Sequence, residues 1–385
     1  MGLVAAMLLY VLGLSRLQAW GNPRLAPVDL IVPRVIDVIV AIWCFWVGSS
    51  VGSFLNVVAW RMPRGESLNG RSHCPRCCVQ LRARDNLPVF GWLALGGRCY
   101  RCRLPISSRY PIVEAAVGLT VTAISLGQLY QFSLPRPTRI VGVGPLWAPM
   151  VDFDVLITLL YHSLAVCASW ACGLIVLDDH RLPRRLVAGS LAAVVVPMLI
   201  YPSLMTVPWQ MQVSSQWRAD GQFLDAVARV VSSLAAATIL GRYLAQSLCP
   251  GADPKLDPLG RSTGRLMDLI VVLAIPGIIV GWQALIAVTV VGSLLATVLQ
   301  RLIRPQREAL GRFAIAVPIS LTIQIVAWRH LSAPILNRDD EIGTWLWPSS
   351  GGSPWVVLAW LLIASLIPCW LKNPSPIHEE VDELA

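Results

Sequence analysis

Asp154–Leu177 reads DVLITLLYHSLAVCASWACGLIVL, and only its first residue is charged. As an α-helix rising about 1.5 Å per residue, a run of this length crosses the roughly 30 Å hydrocarbon core of a bilayer. Similar apolar runs lie near 35–58, 111–131, 185–206, 223–241, 266–281, 283–300, 313–328 and 355–371. They predict an all-α, polytopic membrane helix bundle of about eight to nine spans. The order is an N-terminal apolar segment and linker (1–34), a first span (35–60), a polar loop (61–109), the main bundle (110–330), and an extra C-terminal span and tail (331–385). Met1–Leu14 is apolar but short, and Arg16 ends it. Without a basic start or a small-residue cleavage site it does not read as a signal peptide. It is either an extra interfacial or tilted helix or a misassigned start.

Composition agrees. Over 385 residues the chain is 55% hydrophobic and 14% charged, with mean hydropathy +0.62. Soluble domains carry about 25% charged residues. The same figures exclude a disordered chain, a collagen-like chain and a secreted disulfide scaffold.

The net charge of +9 comes almost wholly from arginine, since Lys occurs only at 255 and 372. Ten arginines fall between Arg61 and Arg109. Others crowd into 181–185, 242–265 and 301–312, whereas 132–153 and 207–222 carry fewer. One orientation, with 61–109 and the C-terminal tail cytoplasmic, satisfies the positive-inside bias throughout. Such loops meet anionic lipid headgroups. No RNP, helix-turn-helix or paired-finger pattern accompanies the basic residues, so nucleic acid is not the expected partner. Trp92, Trp209, Trp217, Trp345 and Trp347 sit near span ends or in loops, where indole rings favour the interface.

Cys74, Cys77, Cys99 and Cys102 form C-x-x-C, twenty-one residues, then C-x-x-C. Two such knuckles complete a tetrahedral sulfur site suited to structural zinc, with Pro75 stiffening the first turn. Bound metal supplies about 10–16 kcal/mol to a loop with little core of its own. Cys78 is a spectator, because its side chain cannot share the knuckle of Cys77. Cys44, Cys167, Cys172, Cys249 and Cys369 read as small apolar residues in or near spans.

The segment around these cysteines resembles the type IV prepilin peptidases. GSFLNVV at Gly52–Val58 leads into Arg61-Met62-Pro63. SHCPRC at Ser72–Cys77 opens the knuckle loop. Asp85-Asn86-Leu87-Pro88 is followed by Trp92 and Gly97-Arg98-Cys99, and Ile106–Glu114 matches I-S-x-R-Y-P-x-V-E. Within this block Asp85, Arg109 and Glu114 read as loop-ordering ion-pair residues, and Ser53 and Asn56 as helix-packing residues.

The resemblance implies an intramembrane aspartyl endopeptidase that cleaves the basic leader of prepilin or pseudopilin precursors at the cytoplasmic face. Two aspartates on different helices would share a proton, one activating water and the other polarising the scissile carbonyl. Some relatives also N-methylate the new terminus from S-adenosylmethionine, although no methyltransferase glycine loop is visible. The family pattern D-x₆-P points to Val176 before Pro183, so Asp178 serves as the first acid only through a two-residue loop deletion. The G-x-G-D-x-K pattern, registered on GWQAL at Gly281–Leu285, points to Asp268 with a one-residue offset and both glycines missing. A bulge would be needed to turn Asp268 inward, since one residue rotates a helix by about 100°. Other readings of the acids are a polar cluster of Asp178 and Asp179 with His180 and Arg181, and a first-turn helix acid at Asp268. The expectations are therefore an active peptidase using Asp178 and Asp268, a catalytically inactive relative that binds or scaffolds pilin-like helices, or an unrelated zinc-stapled adaptor. No phosphate loop, Ser-His-Asp set or H-E-x-x-H motif suggests other chemistry.

Overall fold

The computed structural model describes residues 2–21, 25–74, 76–134, 149, 151–211, 217, 219–249, 261–300, 308–331, 346–350 and 352–372. Pro75, Trp345, parts of the basic stretches 242–265 and 301–312, and the tail beyond 372 lie outside them. Among the described residues every regular element is helical. They are α1 (Gly2–Leu8), a π-turn (Leu9–Gly13), α2 (Leu14–Gly21), α3 (Pro27–Arg61), α4 (Phe90–Ala94), α5 (Arg109–Leu129), α6 (Phe153–Leu177), α7 (Arg184–Ile200), α8 (Phe223–Leu248), α9 (Arg261–Val280), α10 (Trp282–Leu299), α11 (Ala309–Val326), α12 (Trp328–Leu331), α13 (Pro354–Ser365) and α14 (Ile367–Trp370). Among the described residues, eight helical stretches are long and apolar enough to cross a membrane: Val4–Gly21, Pro27–Arg64, α5, α6, α8, Thr263–Val280 in α9, α10 and α11.

The N-terminal run differs from the reading of its sequence. Helix continues through Arg16 to Gly21, because one long guanidinium stem near a helix end snorkels without breaking the helix. The helix of the first span starts at Pro27, not 35. Pro27 occupies its first turn, where no donor is needed, and Asp29 accepts the Ala26 N–H at 3.2 Å. The apolar run 355–371 is split, α14 carrying Pro368, which has no N–H to continue the ladder.

Close helix crossings organise the bundle. A Cβ on Gly48 would lie 2.8 Å from Val121 Cβ, and one on Gly52 2.9 Å from Glu114 Cα, so α3 and α5 pack backbone to backbone. A Cβ on Gly173 of α6 would sit 2.5 Å from the Ala314 carbonyl oxygen of α11. The α6, α9, α10 and α11 helices form the buried centre, with Val176, Leu273, Leu285 and Phe313 fully enclosed. The N-terminal helices and α3 leave most of their apolar surface outward, as lipid-facing helices do.

The bundle has two chemically distinct ends. At one, Arg109 opens α5, Asp178 closes α6, and the segment before α7 meets α9 through Leu182 and Asp268. At the other, the Tyr201 hydroxyl donates to Asp154 at 2.7 Å and the Trp209 indole to Asp225 at 3.2 Å. Arg229, fully buried in α8, gives its guanidinium to the carbonyls of Val207 (2.8 Å), Pro208, Ile278 and Ile279 (2.8 Å). The GWQ turn docks there too, Trp282 and Gln283 both donating to the Trp209 carbonyl at 2.9 and 2.8 Å. With only 17 residues, α7 still runs from one end to the other. Its leading segment bonds Asp268, and the chain that follows it bonds Arg229.

Candidate functional site

The two cysteine pairs fold into matching turns. Cys74 N–H donates to the Val79 carbonyl and Cys78 N–H to the Cys74 carbonyl, both at 2.9 Å. Cys99 N–H donates to Leu104 and Arg103 N–H to Cys99, both at 3.0 Å. Single antiparallel bridges, His73 to Gln80 and Arg98 to Pro105, close each turn. Cys78 and Arg103 take the same left-handed place, with φ of 54° and 59°. That conformation turns Cys78 outward, exposed, while Cys74 and Cys99 are buried.

The four Sγ atoms of Cys74, Cys77, Cys99 and Cys102 lie within 4.8 Å of one another and could hold a metal ion. The Cys74–Cys102 and Cys77–Cys99 sulfurs are 3.9 and 4.0 Å apart, far beyond a disulfide bond of about 2.05 Å. A tetrahedral metal–sulfur bond of about 2.3 Å sets sulfurs roughly 3.8 Å apart, so the cage fits zinc's geometry. The backbone N–H groups of Cys102 and Arg101 lower the Cys99 thiol to about 7.

Of the residues that the sequence marks as loop-ordering ion-pair residues, Asp85 and Arg109 form ion pairs, whereas Glu114 anchors the loop to the bundle through a hydrogen bond. Glu114, buried in α5, accepts the Val89 N–H at 2.7 Å and holds Val89 at φ +62°, a strained value for a β-branched residue. Asp85 pairs with Arg82 at 2.6 Å. Trp92 donates to the Ile106 carbonyl at 3.0 Å, and its ring covers Gly97 so closely that a Cβ there would lie 2.8 Å away. Asn56 reaches the Tyr110 carbonyl at 3.4 Å, a packing contact between α3 and α5. Between loop and α3 lies a cavity of about 570 Å³, whose lining includes Trp60, Glu66, Trp92, Tyr110 and Glu114.

The acids lie at the same end of the bundle. Asp178 caps the C-terminus of α6 and binds Arg109 Nη1. Asp179 follows at φ +59°, a left-handed position that aspartate tolerates. Asp268 is 3% exposed. Its carboxylate accepts Arg181 Nε at 3.1 Å and the Leu182 N–H at 3.2 Å, with Arg265 Nη1 at 3.6 Å.

Two expectations about Asp268 are corrected. The α9 helix begins at Arg261, so Asp268 sits two turns inside it rather than in the first turn. No bulge turns it inward, for 261–280 is unbroken α-helix. The inward direction is supplied by the 178–183 loop, which lies over that face of α9. A Cβ on Gly264 would collide with the Arg181 guanidinium at 1.5 Å, so the absence of a side chain lets Arg181 lie there.

Arg265 joins these parts and was not singled out from the sequence. Its buried guanidinium lies 2.7 Å from Glu308, 3.7 Å from Asp179 and 2.8 Å from the His180 carbonyl. The available signal was an arginine at the edge of an apolar run, which requires partners. Four carboxylates (Asp178, Asp179, Asp268, Glu308) thus face three guanidiniums (Arg109, Arg181, Arg265). Val176, the residue in the family's aspartate register, is fully buried, and its carbonyl lies against Gly311.

Similarity to known proteins centres on the cysteine loop and its flanking helices. A family model described as the Bacterial Peptidase A24 N-terminal domain matches residues 46–127. A prepilin leader peptidase/N-methyltransferase of Klebsiella pneumoniae is 33% identical over 184 residues, 46% of this chain and 77% of that protein. The chain belongs to the prepilin leader peptidase family. A relative of the same description from Myxococcus xanthus (strain DK1622) is 46% identical over 89 residues, 23% of this chain and 27% of its own length. A type 4 prepilin-like proteins leader peptide-processing enzyme of Escherichia coli O78:H11 is 42% identical over 98 residues, covering 20% and 36%. The match to these two relatives therefore spans about a third of their length. No solved structure matches. Family membership removes the unrelated adaptor as a reading.

Proposed function

We propose that this membrane protein works on prepilin or pseudopilin precursors, binding their helical segments at the cytoplasmic end of its bundle, and that it holds them without aspartyl hydrolysis. The precursor class follows the names of its relatives, which process prepilin leaders. One observation carries the loss of hydrolysis: each acid of the Asp178–Asp268 pair is engaged by arginine. An aspartyl dyad needs one carboxyl protonated and both oriented on one water. A guanidinium beside a carboxylate takes up its lone pairs and fixes its direction. The Arg109–Asp178 and Arg181–Asp268–Arg265 pairings therefore oppose the common orientation of both acids on one water.

The second reading is processing by Asp178 and Asp268 as a membrane aspartyl endopeptidase. It is supported by the docking of the 178–183 loop on Asp268, which brings the two acids' segments together at one end. Arriving precursor would then have to displace Arg109 and Arg181 before one acid could activate water.

The cytoplasmic orientation of the cysteine loop, in a bacterial inner membrane, rests on its arginines. Zinc is the metal assigned to Cys74, Cys77, Cys99 and Cys102, where it would tie the loop's two turns together. S-adenosylmethionine, the donor in relatives named N-methyltransferases, is assigned to the 570 Å³ cavity on the chemistry of its lining. Trp60, Trp92 and Tyr110 offer faces for an adenine ring, and Glu66 and Glu114 carboxylates for ribose hydroxyls.

The test is incubation of purified full-length protein with a model prepilin bearing a basic leader, beside the Asp178→Ala and Asp268→Ala variants. Retention of precursor with no shortened product is the expected result. Cleavage by the native chain that Asp268→Ala abolishes would establish the second reading. The absence of both retention and cleavage of the precursor would remove both readings.

A further inference from the structure

At the end of the bundle away from the cysteine loop, the N-terminal helices lean on α3 and enclose a cavity of about 710 Å³. Asp37 of α3 stands in its wall, twenty-four residues before Arg61. At 1.5 Å per residue that is roughly 36 Å, about one hydrocarbon thickness from the loop. Asp37 therefore lies at the opposite interface, remote from the aspartate cluster.

Its carboxylate is held by two neutral donors, the hydroxyls of Tyr10 at 2.8 Å and of Tyr130. No cation pairs with it among the described residues. An ionisable side chain at the membrane edge without a counter-charge is a ligand site by default. Two hydroxyl donors leave acceptor capacity on a group with about four lone-pair positions. One turn further out, Arg34 gives Nη2 to Gln18 at 2.7 Å and lies 5.1 Å from the Tyr10 ring centre. Its Nε is buried and has no acceptor. The cavity thus presents one anionic acceptor and one cationic donor, three residues apart on one helix, that do not pair with each other.

The remaining lining is mostly apolar, with Leu30 and Pro33 on the outer side of the two charges and Val38, Ala41 and Ile42 of α3 and Leu126 of α5 toward the membrane centre. Two charges of opposite sign set in an apolar lining match an amphiphile with a zwitterionic head.

We propose that this cavity is a binding site for a phospholipid with a primary-amine headgroup, phosphatidylethanolamine. The ammonium donates to Asp37, the phosphate pairs with the Arg34 guanidinium, and an acyl chain lies along Val38, Ala41, Ile42 and Leu126. A purely anionic headgroup such as phosphatidylglycerol meets repulsion at Asp37. The quaternary ammonium of phosphatidylcholine has no N–H to donate. The site does not depend on what occupies the cytoplasmic end.

The experiment uses the purified, delipidated full chain in detergent. Equal amounts of phosphatidylethanolamine, phosphatidylcholine and phosphatidylglycerol with identical acyl chains are offered together, and retained lipid is read by native mass spectrometry. Phosphatidylethanolamine is expected to exceed each of the others by about tenfold, the scale of one charge-assisted hydrogen bond. Asp37→Asn is expected to abolish the preference, and Ala41→Phe, which fills the floor, to reduce all three lipids. Equal retention of the three lipids by the native chain would overturn the proposal, and this arm needs no variant to fold. So would an Asp37→Asn protein of native helical content that keeps its preference.

Discussion

The Arg109 guanidinium, at the first residue of α5, is bonded to the carboxylate of Asp178, the residue that caps α6. The C-terminus of a helix carries partial negative charge, so a carboxylate there is disfavoured unless a cation accompanies it. Arg109 supplies that cation from the last residue of the cysteine loop. The pair thereby fastens the loop to the end of the buried bundle.

Removing the cation alone should therefore cost more than removing both charges. Arg109→Ala is expected to destabilise by about 1–2 kcal/mol. The same change in an Asp178→Asn background should cost clearly less. A double-mutant cycle by thermal unfolding in detergent measures the coupling, and additive effects would show that the pair contributes nothing.

Arg265 presents a steeper case because its side chain is buried among acids. Arg265→Met leaves Asp268 and Glu308 without this partner, at an expected cost of about 3–5 kcal/mol. Adding Glu308→Gln should recover part of that loss by removing one uncompensated charge. Midpoints of unfolding followed by intrinsic tryptophan fluorescence distinguish the two variants. Equal midpoints for the single and double variants would count against the network.

Metal content tests the matching turns. One zinc per chain is expected by elemental analysis of purified protein. Serine at Cys74, Cys77, Cys99 or Cys102 should lose it, whereas Cys78→Ser should not. Cys78→Gly should also keep the metal and shift stability by less than about 1 kcal/mol, since glycine accepts the left-handed conformation that cysteine holds at φ 54°. Full occupancy in Cys74→Ser would contradict the four-thiol cage.

The α6–α11 crossing makes a separate prediction that rests on backbone packing alone. Gly173→Ala places a methyl 2.5 Å from a backbone oxygen of α11, which cannot swing aside as a side chain would. A loss of about 1–3 kcal/mol is expected from the separation that follows. Gly189→Ala in α7, where a Cβ meets nothing within 4 Å, is the control and should be neutral or slightly stabilising. An unfolding midpoint unchanged in Gly173→Ala would show that the crossing is looser than described.

Much of the architecture was legible because hydrophobicity and spacing are local. The run Asp154–Leu177 is apolar whatever surrounds it, and α6 covers Phe153–Leu177. The spacing Cys74-x-x-Cys77 and Cys99-x-x-Cys102 requires only that two turns meet, and the four sulfurs do. The length of the N-terminal helix is not legible in the same way, because a charge at Arg16 looks like a helix end while its long stem lets helix pass. The site depended on tertiary structure. Arg109 meets Asp178 across 69 residues, and Arg181 meets Asp268 across 87. The register of α9 alone does not fix the surroundings of Asp268. The loop between α6 and α7 lies over that face and provides the Leu182 N–H and the Arg181 guanidinium. Periodicity along one helix decides which residues share a face. Which charge covers that face is decided by the packing of segments far apart in the chain.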